Sequence, residues 1–251
     1  DIVCTINEAN LTACFAHSFQ SYPEHGMKAI MPFIKEAAEE CGSTLENFGP
    51  FLFGHPFKIR DCMMEAHVKS VPIIKSILKN NQPVGVTLSI MDYQAAEGGD
   101  KMRDKAYAES VDCCLDQIVN DDFVGVQMYT RHTYGPDGII KPKTDDPNML
   151  VMGYEYYPES LENVVRYVSS KIKTPIMITE NGIGTDDDNQ RIEYLTTALQ
   201  GLQNCLDDGI DVRGYFCWSL LDNFEWLFGY KPRFGLVEVN RETLDLSLIH
   251  I

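Results

Sequence analysis

The sequence has no apolar run long enough to span a bilayer, so a transmembrane helix is not expected. Positive charge is scarce: 21 Lys and Arg stand against 37 Asp and Glu, giving a formal net charge of −16. A nucleic-acid surface needs clustered Lys and Arg to meet phosphates, and this balance excludes that partner. A neutral or cationic small molecule fits it better. Neither G-x-x-x-x-G-K-[ST] nor G-x-G-x-x-G occurs, which disfavours phosphate-loop and dinucleotide enzymes. The eight Cys form no C-x-x-C pair, and no His lies at ligand spacing, so neither a zinc site nor a disulfide framework is expected. They read as reduced, mostly buried thiols of an intracellular, cytoplasmic protein. Internal repeats, low-complexity segments and a signal-peptide pattern at residue 1 are also lacking.

What the chain does have is apolar mass in short runs. At 251 residues, 44% hydrophobic with 12 Phe and 12 Tyr, it can bury a large core. Runs at 2–6, 83–90, 123–129, 175–179 and 212–218 read as buried strands. Helical patterns lie between them at 61–79, 104–119, 160–172 and 188–206. Near-continuous apolar strands alternating with helices imply an α/β fold with a parallel sheet covered on both faces. A further extended stretch, 234–240, follows the last strand and is expected to pair with it in a hairpin. Two irregular stretches, 11–54 and 131–159, are rich in Gly, Pro, Asp and His and read as functional loops.

One strand ends strangely. "KTPIMITENG", residues 173–182, runs apolar into Glu180 and then into an Asn-Gly turn. Burying an ionised Glu without partners costs several kcal/mol, on the order given for buried charges. Glu8 closes "VCTINEA" in the same way. Singly, each reads as a solvated strand-end residue. Together they place two carboxylates at strand carboxyl ends, where α/β active sites lie. Paired carboxylates suit acid–base or nucleophilic chemistry on an acetal.

A third segment, "GYFCWSLLDNFEWLFGYKPRFG" at 214–235, holds both tryptophans of the chain, Trp218 and Trp226, around Asp222 and Glu225. Phe224 and Phe228 read as core packing. Aromatic faces beside carboxylates and amides are otherwise the materials of a carbohydrate pocket, since rings stack on sugars while polar groups bond their hydroxyls.

The motifs "TINE", "DFVGVQMYTR", "YEYYPESL", "ITENG", "WSLLDNFEW" and "RFGLV" occur in that order and resemble the strand-end motifs of glycoside hydrolase family 1, the β-glucosidases and related β-glycosidases. The resemblance covers residues 2 to 243. It implies a (β/α)8 TIM barrel and a retaining β-glycosidase acting on non-phosphorylated β-glucosides, without metal or cofactor. On this resemblance Glu8 matches the acid/base and Glu180 the nucleophile. Asn7 matches the ligand of the 2-hydroxyl, Tyr129 the partner of the nucleophile and Trp218 the platform under the sugar ring. Glu225 and Trp226 match the pair that reads the 4- and 6-hydroxyls, and Phe234 lies at the pocket wall. Gln127 stands where the family commonly has Asn and is taken as its amide substitute, and Tyr154 stands where Trp is usual. Glu8, rather than Gln, disfavours a thioglucosidase.

Five strands are found where the family has eight. The resemblance therefore implies one catalytic domain over 1–251, an incomplete barrel of about strands 4 to 8 with the N-terminal strands absent, inactive by itself. The tail 244–251, "LDLSLIHI", departs from the family's ending. Alternatives are a non-catalytic carbohydrate-binding module derived from such an enzyme, or a β-galactosidase or β-fucosidase of the same family. The expected partner is a small-molecule β-glycoside, with no nucleic acid and no membrane; the oligomeric state is left open.

Overall fold

The computed structural model describes residues 1–18, 24–49, 54–143 and 146–248, with backbone alone at 18, 24–30, 227 and 248. Five strands form its main sheet: β1 (Val3–Cys4), β2 (Val84–Ser89), β4 (Phe123–Met128), β7 (Ile176–Asn181) and β8 (Val212–Cys217). They pair in the order β1-β2-β4-β7-β8, and every pairing is parallel. Neighbours in space are thus neighbours in the order of crossing, as in the staves of a singly wound barrel. With five staves the architecture is an incomplete (β/α)8 barrel. β1 and β8 are the two edges of this sheet.

Every residue of β2 and β4 is buried, which explains why "VGVTLS" and "FVGVQM" do not alternate: both faces are covered. β8 is only partly buried, and Phe216 on it is 52% exposed, in keeping with its edge position. The outer layer is helical. α3 (Pro56–Ile77) starts earlier than expected, at a Pro in the first helical position behind a His55 cap that accepts from the Lys58 amide. α4 (Asp100–Tyr107) runs through a π-turn into α5 (Cys113–Leu115). α6 (Ser160–Lys171) buries Leu161, Val164, Val165 and Val168, the i, i+3, i+4, i+7 stripe of a one-faced helix. α7 (Asp188–Asp207) is capped by Asp187, whose carboxylate accepts from the Asn189 amide. Val86, Leu88, Val126 and Ile178 from the sheet and Val165, Tyr194 and Ala198 from the helices form one continuous core.

Three expectations need correction. The stretch 11–54 is not irregular where described: it contains α1 (Leu11–Ser18) and α2 (Glu24–Glu40). Pro32 inside α2 reads as a helix break, because a Pro there removes a donor, yet the helix continues past it. The stretch 131–159 contains β5 (Arg131–Gly135) and β6 (Gly138–Ile139), which join β3 (Asp92–Ala95) in a small second sheet. β9 (Val237–Val239) pairs antiparallel with β10 (Leu246–Leu248), inside the tail that looked foreign, and not with β8; the last residues of that tail, 249–251, lie outside the described ones. Cysteine burial also differs. Cys14, Cys114 and Cys205 are buried, but Cys4, Cys41 and Cys62 are exposed, and none of the eight forms a disulfide.

Candidate active site

Glu8 follows β1 with a φ of +47°, the left-handed region that side chains other than Gly rarely adopt. Such a conformation costs about 1–3 kcal/mol and needs holding in place. Thr87, on neighbouring β2, provides the hold: its hydroxyl accepts from the Glu8 amide at 3.0 Å. Asn10, fully buried, fixes the turn from behind, accepting from the Ser89 amide at 2.8 Å and donating to the carbonyls of Ser89 and Ser110 at 2.7 and 2.8 Å. Neither Thr87 nor Asn10 was singled out from the sequence. The signal available was the pair of hydroxyl residues, Thr87 and Ser89, alternating at the end of an apolar strand.

Glu180 lies in β7, one residue before its end, half-buried among partners. Tyr129 donates to its Oε2 at 2.7 Å, and Gln127 Nε2 donates to its Oε1 at 2.7 Å. The same Nε2 donates to Asn7 Oδ1 at 2.9 Å, where the Thr87 hydroxyl also donates at 3.0 Å. Residues from the ends of β1, β2, β4 and β7 therefore meet in one hydrogen-bonded cluster. Asn7, Gln127, Tyr129 and Glu180 are directly joined, and Glu8 adjoins them through Thr87 and the chain.

The electrostatics separate the two carboxylates. Burial, and after it the negative charge of Glu180, push the Glu8 carboxyl up to about 7 against a smaller opposing bond from Ser89. Burial raises Glu180 as well, but the Tyr129 hydroxyl opposes the shift by stabilising the ionised form. One carboxyl thus keeps its proton near neutrality beside another that is solvated by donors, the division of labour expected of an acid and a nucleophile.

The β8 segment completes the cluster in part. The Trp218 indole donates to Glu225 Oε1 at 3.2 Å, and Glu225 is buried, which raises its carboxyl. Glu225 also raises Glu180 through its charge. The close approach of β7 and β8 depends on Gly182, whose added Cβ would collide with the Trp218 carbonyl oxygen. Phe234 is 3% exposed and packs edge-on against Tyr129 at 6.0 Å between ring centroids, with its other side over Gly184. Trp226 does not join them: it is 81% exposed. Phe224 and Phe228 are not core residues either, at 56% and 38% exposed; Phe224 meets Tyr230 edge-on at the surface. Asp222 is a structural residue that accepts from the Gly235 amide at 2.9 Å.

Two further residues missed in the sequence hold this rim. Asn181, fully buried, donates to the Met128 carbonyl at 2.9 Å and accepts from the Tyr215 hydroxyl at 3.0 Å, tying β4, β7 and β8 together behind Glu180. Arg191, 2% exposed, reaches from α7 to three loop carbonyls: Ile183 at 3.0 Å, Thr185 at 2.6 Å and Arg233 at 3.0 Å. An Arg in a polar stretch of helix reads as surface, and nothing local marks it otherwise. Among the described residues no cluster of His, Cys, Asp and Glu could hold a metal ion.

Similarity to known proteins agrees with this geometry. The sequence profile of Glycosyl hydrolase family 1 matches residues 122–248, half of the chain. The chain belongs to this family. It is 36% identical over 136 residues to a 1,4-beta-D-glucan glucohydrolase of Thermotoga neapolitana, covering 49% of this chain and 32% of that protein. A Beta-galactosidase of Sulfolobus acidocaldarius is 30% identical over 218 residues, covering 73% of this chain and 44% of that protein. Among solved structures, the beta-glycosidase BGL167 superposes with a TM-score of 0.86 at 36% identity, over 98% of this chain and 59% of that one. The chain thus spans less than half the length of these two curated relatives and about three fifths of that solved structure. The charge of Glu180 raises the Glu8 carboxyl, and that of Glu225 raises Glu180, so the three carboxylates are electrostatically linked.

Proposed function

We propose that the protein is a retaining β-glycosidase that hydrolyses non-phosphorylated β-glucosides by double displacement. The observation that carries this reading is the pairing of unlike carboxyls. Glu180 accepts from two donors, which favour its ionised form against burial, and its charge helps keep Glu8 protonated.

In the first step a Glu180 oxygen attacks the anomeric carbon while Glu8 delivers its proton to the departing glycosidic oxygen. The bond to the leaving group breaks, and an ester to Glu180 forms. Esterification removes the charge that raised Glu8, so Glu8 ionises more readily and takes a proton from the water that attacks the ester. Asn7 keeps its Nδ2 free, because its Oδ1 already accepts twice; that amide hydrogen suits the sugar 2-hydroxyl. Trp218 offers a ring face, and buried Glu225 accepts from sugar hydroxyls remote from the anomeric carbon.

A bare hydroxyl at the 6-position is favoured over a phosphate. Glu225, buried and acidic, repels a dianion. Arg233, nearby, is engaged by Glu238 at 2.9 Å and Asp186 at 3.4 Å on the surface. The Sulfolobus acidocaldarius relative supports a galactoside as the second reading, and the ratio of kcat/KM on the two aryl glycosides decides between them.

The test is chemical rescue, in a barrel completed with the family's three N-terminal strands, since five staves alone are expected to be inactive. Glu180→Gly abolishes hydrolysis, and added azide restores a glycosyl azide of inverted configuration, because the small anion fills the space of the lost carboxylate. Glu8→Ala retains relatively more activity on aryl glycosides, whose leaving groups need little protonation. Identical responses of the two variants to azide and leaving group overturn the assignment.

A further inference from the structure

Gln127 occupies the carboxyl end of β4 at 2% exposure, and its contacts leave it no free donor. Nε2 carries two hydrogens, and two acceptors take them: Glu180 Oε1 at 2.7 Å and Asn7 Oδ1 at 2.9 Å. Oε1 of the same amide is buried and without a hydrogen-bond partner among the described residues. The other orientation of the amide would set its oxygen against two acceptor oxygens, so the neighbours fix it.

The backbone is irregular at the same place. β4 and β7 run in register through Val126 and Ile178, and then the register shifts so that Gln127 stands opposite Glu180. Without that shift Gln127 would face Thr179, and Glu180 would turn to the other side of the sheet, since side chains alternate along a strand. Bulges that re-aim a side chain in this way occur next to active sites.

The fork also reaches across the sheet. Asn7 follows β1 and Glu180 lies in β7, so β2 and β4 separate them. Gln127 spans that gap from β4. Its grip on Asn7 Oδ1, shared with Thr87, turns the Asn7 amide so that Nδ2 faces outward from the exposed Asn7 side chain.

We propose that Gln127 is a positioning residue rather than a sugar ligand: its side chain, at this length, locks Asn7 and Glu180 into one frame. The inference rests on the reading of Glu180 as the nucleophile. It assigns Gln127 a task that acts on the substrate only through two other residues. One methylene less, as in Asn, cannot keep both bonds from the same backbone position.

The experiment reads Glu180 directly. The carboxyl of Glu180 is titrated by carbon-13 NMR, its signal identified by loss in Glu180→Gln. The groups facing it are Glu8, Glu225 and Tyr129, so the series is run in a Glu8→Gln background to remove the nearest overlapping titration. Gln127→Leu removes the donor and raises the Glu180 titration by about one pH unit or more. Gln127→Asn behaves like Gln127→Leu rather than like the wild type. Gln127→Glu, the isosteric variant that guards against misfolding, sets a second carboxyl against Glu180 and raises its titration further. With Glu8 restored and the barrel completed, the acid limb of the kcat/KM profile moves up in the same order. Unchanged Glu180 titration in Gln127→Leu and Gln127→Glu overturns the proposal, as does full wild-type behaviour of Gln127→Asn. A protein without hydrolytic activity whose Glu180 titration shifts as stated overturns the proposed reaction and leaves the positioning role standing.

Discussion

Tyr129 gives its phenolic hydrogen to Glu180 Oε2 at 2.7 Å, and that carboxylate, with burial as the larger cause, drives the loss of the phenol's own proton far above its ordinary range. The hydroxyl is therefore a permanent donor. Tyr129→Phe removes one of the two bonds that stabilise ionised Glu180. A bond to a charged acceptor is worth about 1.5–3 kcal/mol, so kcat/KM falls ~10–100-fold. The acid limb of its pH profile moves upward, because Glu180, the proposed nucleophile, now ionises later. A uniform fall with no movement of that limb excludes this role.

Glu8 makes a prediction about stability. Its carboxyl is pushed up to about 7 in the folded protein against an ordinary 4.5, so between these pH values the folded state binds more protons than the unfolded one. Stability therefore declines as pH rises through that window. Glu8→Gln escapes this cost and is more stable than wild type at pH 8, by about 1–2 kcal/mol after allowance for solvent screening. At pH 4 the two unfold alike. Equal urea midpoints at both pH values refute the claim. The gain comes with loss of activity, since the proposed general acid is gone.

The bond from the Trp218 indole to Glu225 predicts a change confined to the sugar. Trp218→Phe keeps an aromatic face but frees the Glu225 carboxylate to rotate. Expected is a fall in kcat/KM of roughly tenfold, of the order of one lost hydrogen bond, on every aryl glycoside tested. Sensitivity to the leaving group stays unchanged. A variant that alters the leaving-group dependence instead places Trp218 on the other side of the scissile bond.

Gly182 predicts a packing penalty. A methyl at this position meets the Trp218 carbonyl oxygen, which is backbone and cannot step aside. Gly182→Ala costs about 1–3 kcal/mol, as overpacking does, and weakens glycoside binding because β8 carries Trp218. Thermal denaturation with and without a glycone inhibitor measures both. A wild-type melting temperature contradicts the close approach described here.

The barrel staves were legible because buried parallel strands announce themselves as unbroken apolar runs, and each ran within two residues of its expected ends for β2, β4, β7 and β8. The ends of those runs also disclosed Glu8 and Glu180, since a carboxylate is out of place there. What stayed hidden depends on contacts distant in sequence. Thr87 is an ordinary strand residue until Glu8 bonds to it from 79 positions away. Phe224 and Trp226 have the composition of a core or a binding wall, yet their exposure is fixed by the path of a loop. The small sheet of β3, β5 and β6 was missed because its strands are short and mostly polar, with Tyr93 and Tyr134 as their large buried residues.

Arg191 joins places that belong to different parts of the chain. Its guanidinium holds the loop after β7 at Ile183 and Thr185 and the loop after β8 at Arg233, next to the pocket residue Phe234. These segments are anchored through one side chain of α7, a helix of the outer layer. They consequently open as one unit: hydrogen exchange at the first turn of α7 and at the residues beside Phe234 shares a single opening free energy. Breathing of an outer helix thereby sets how often the inner wall is in place.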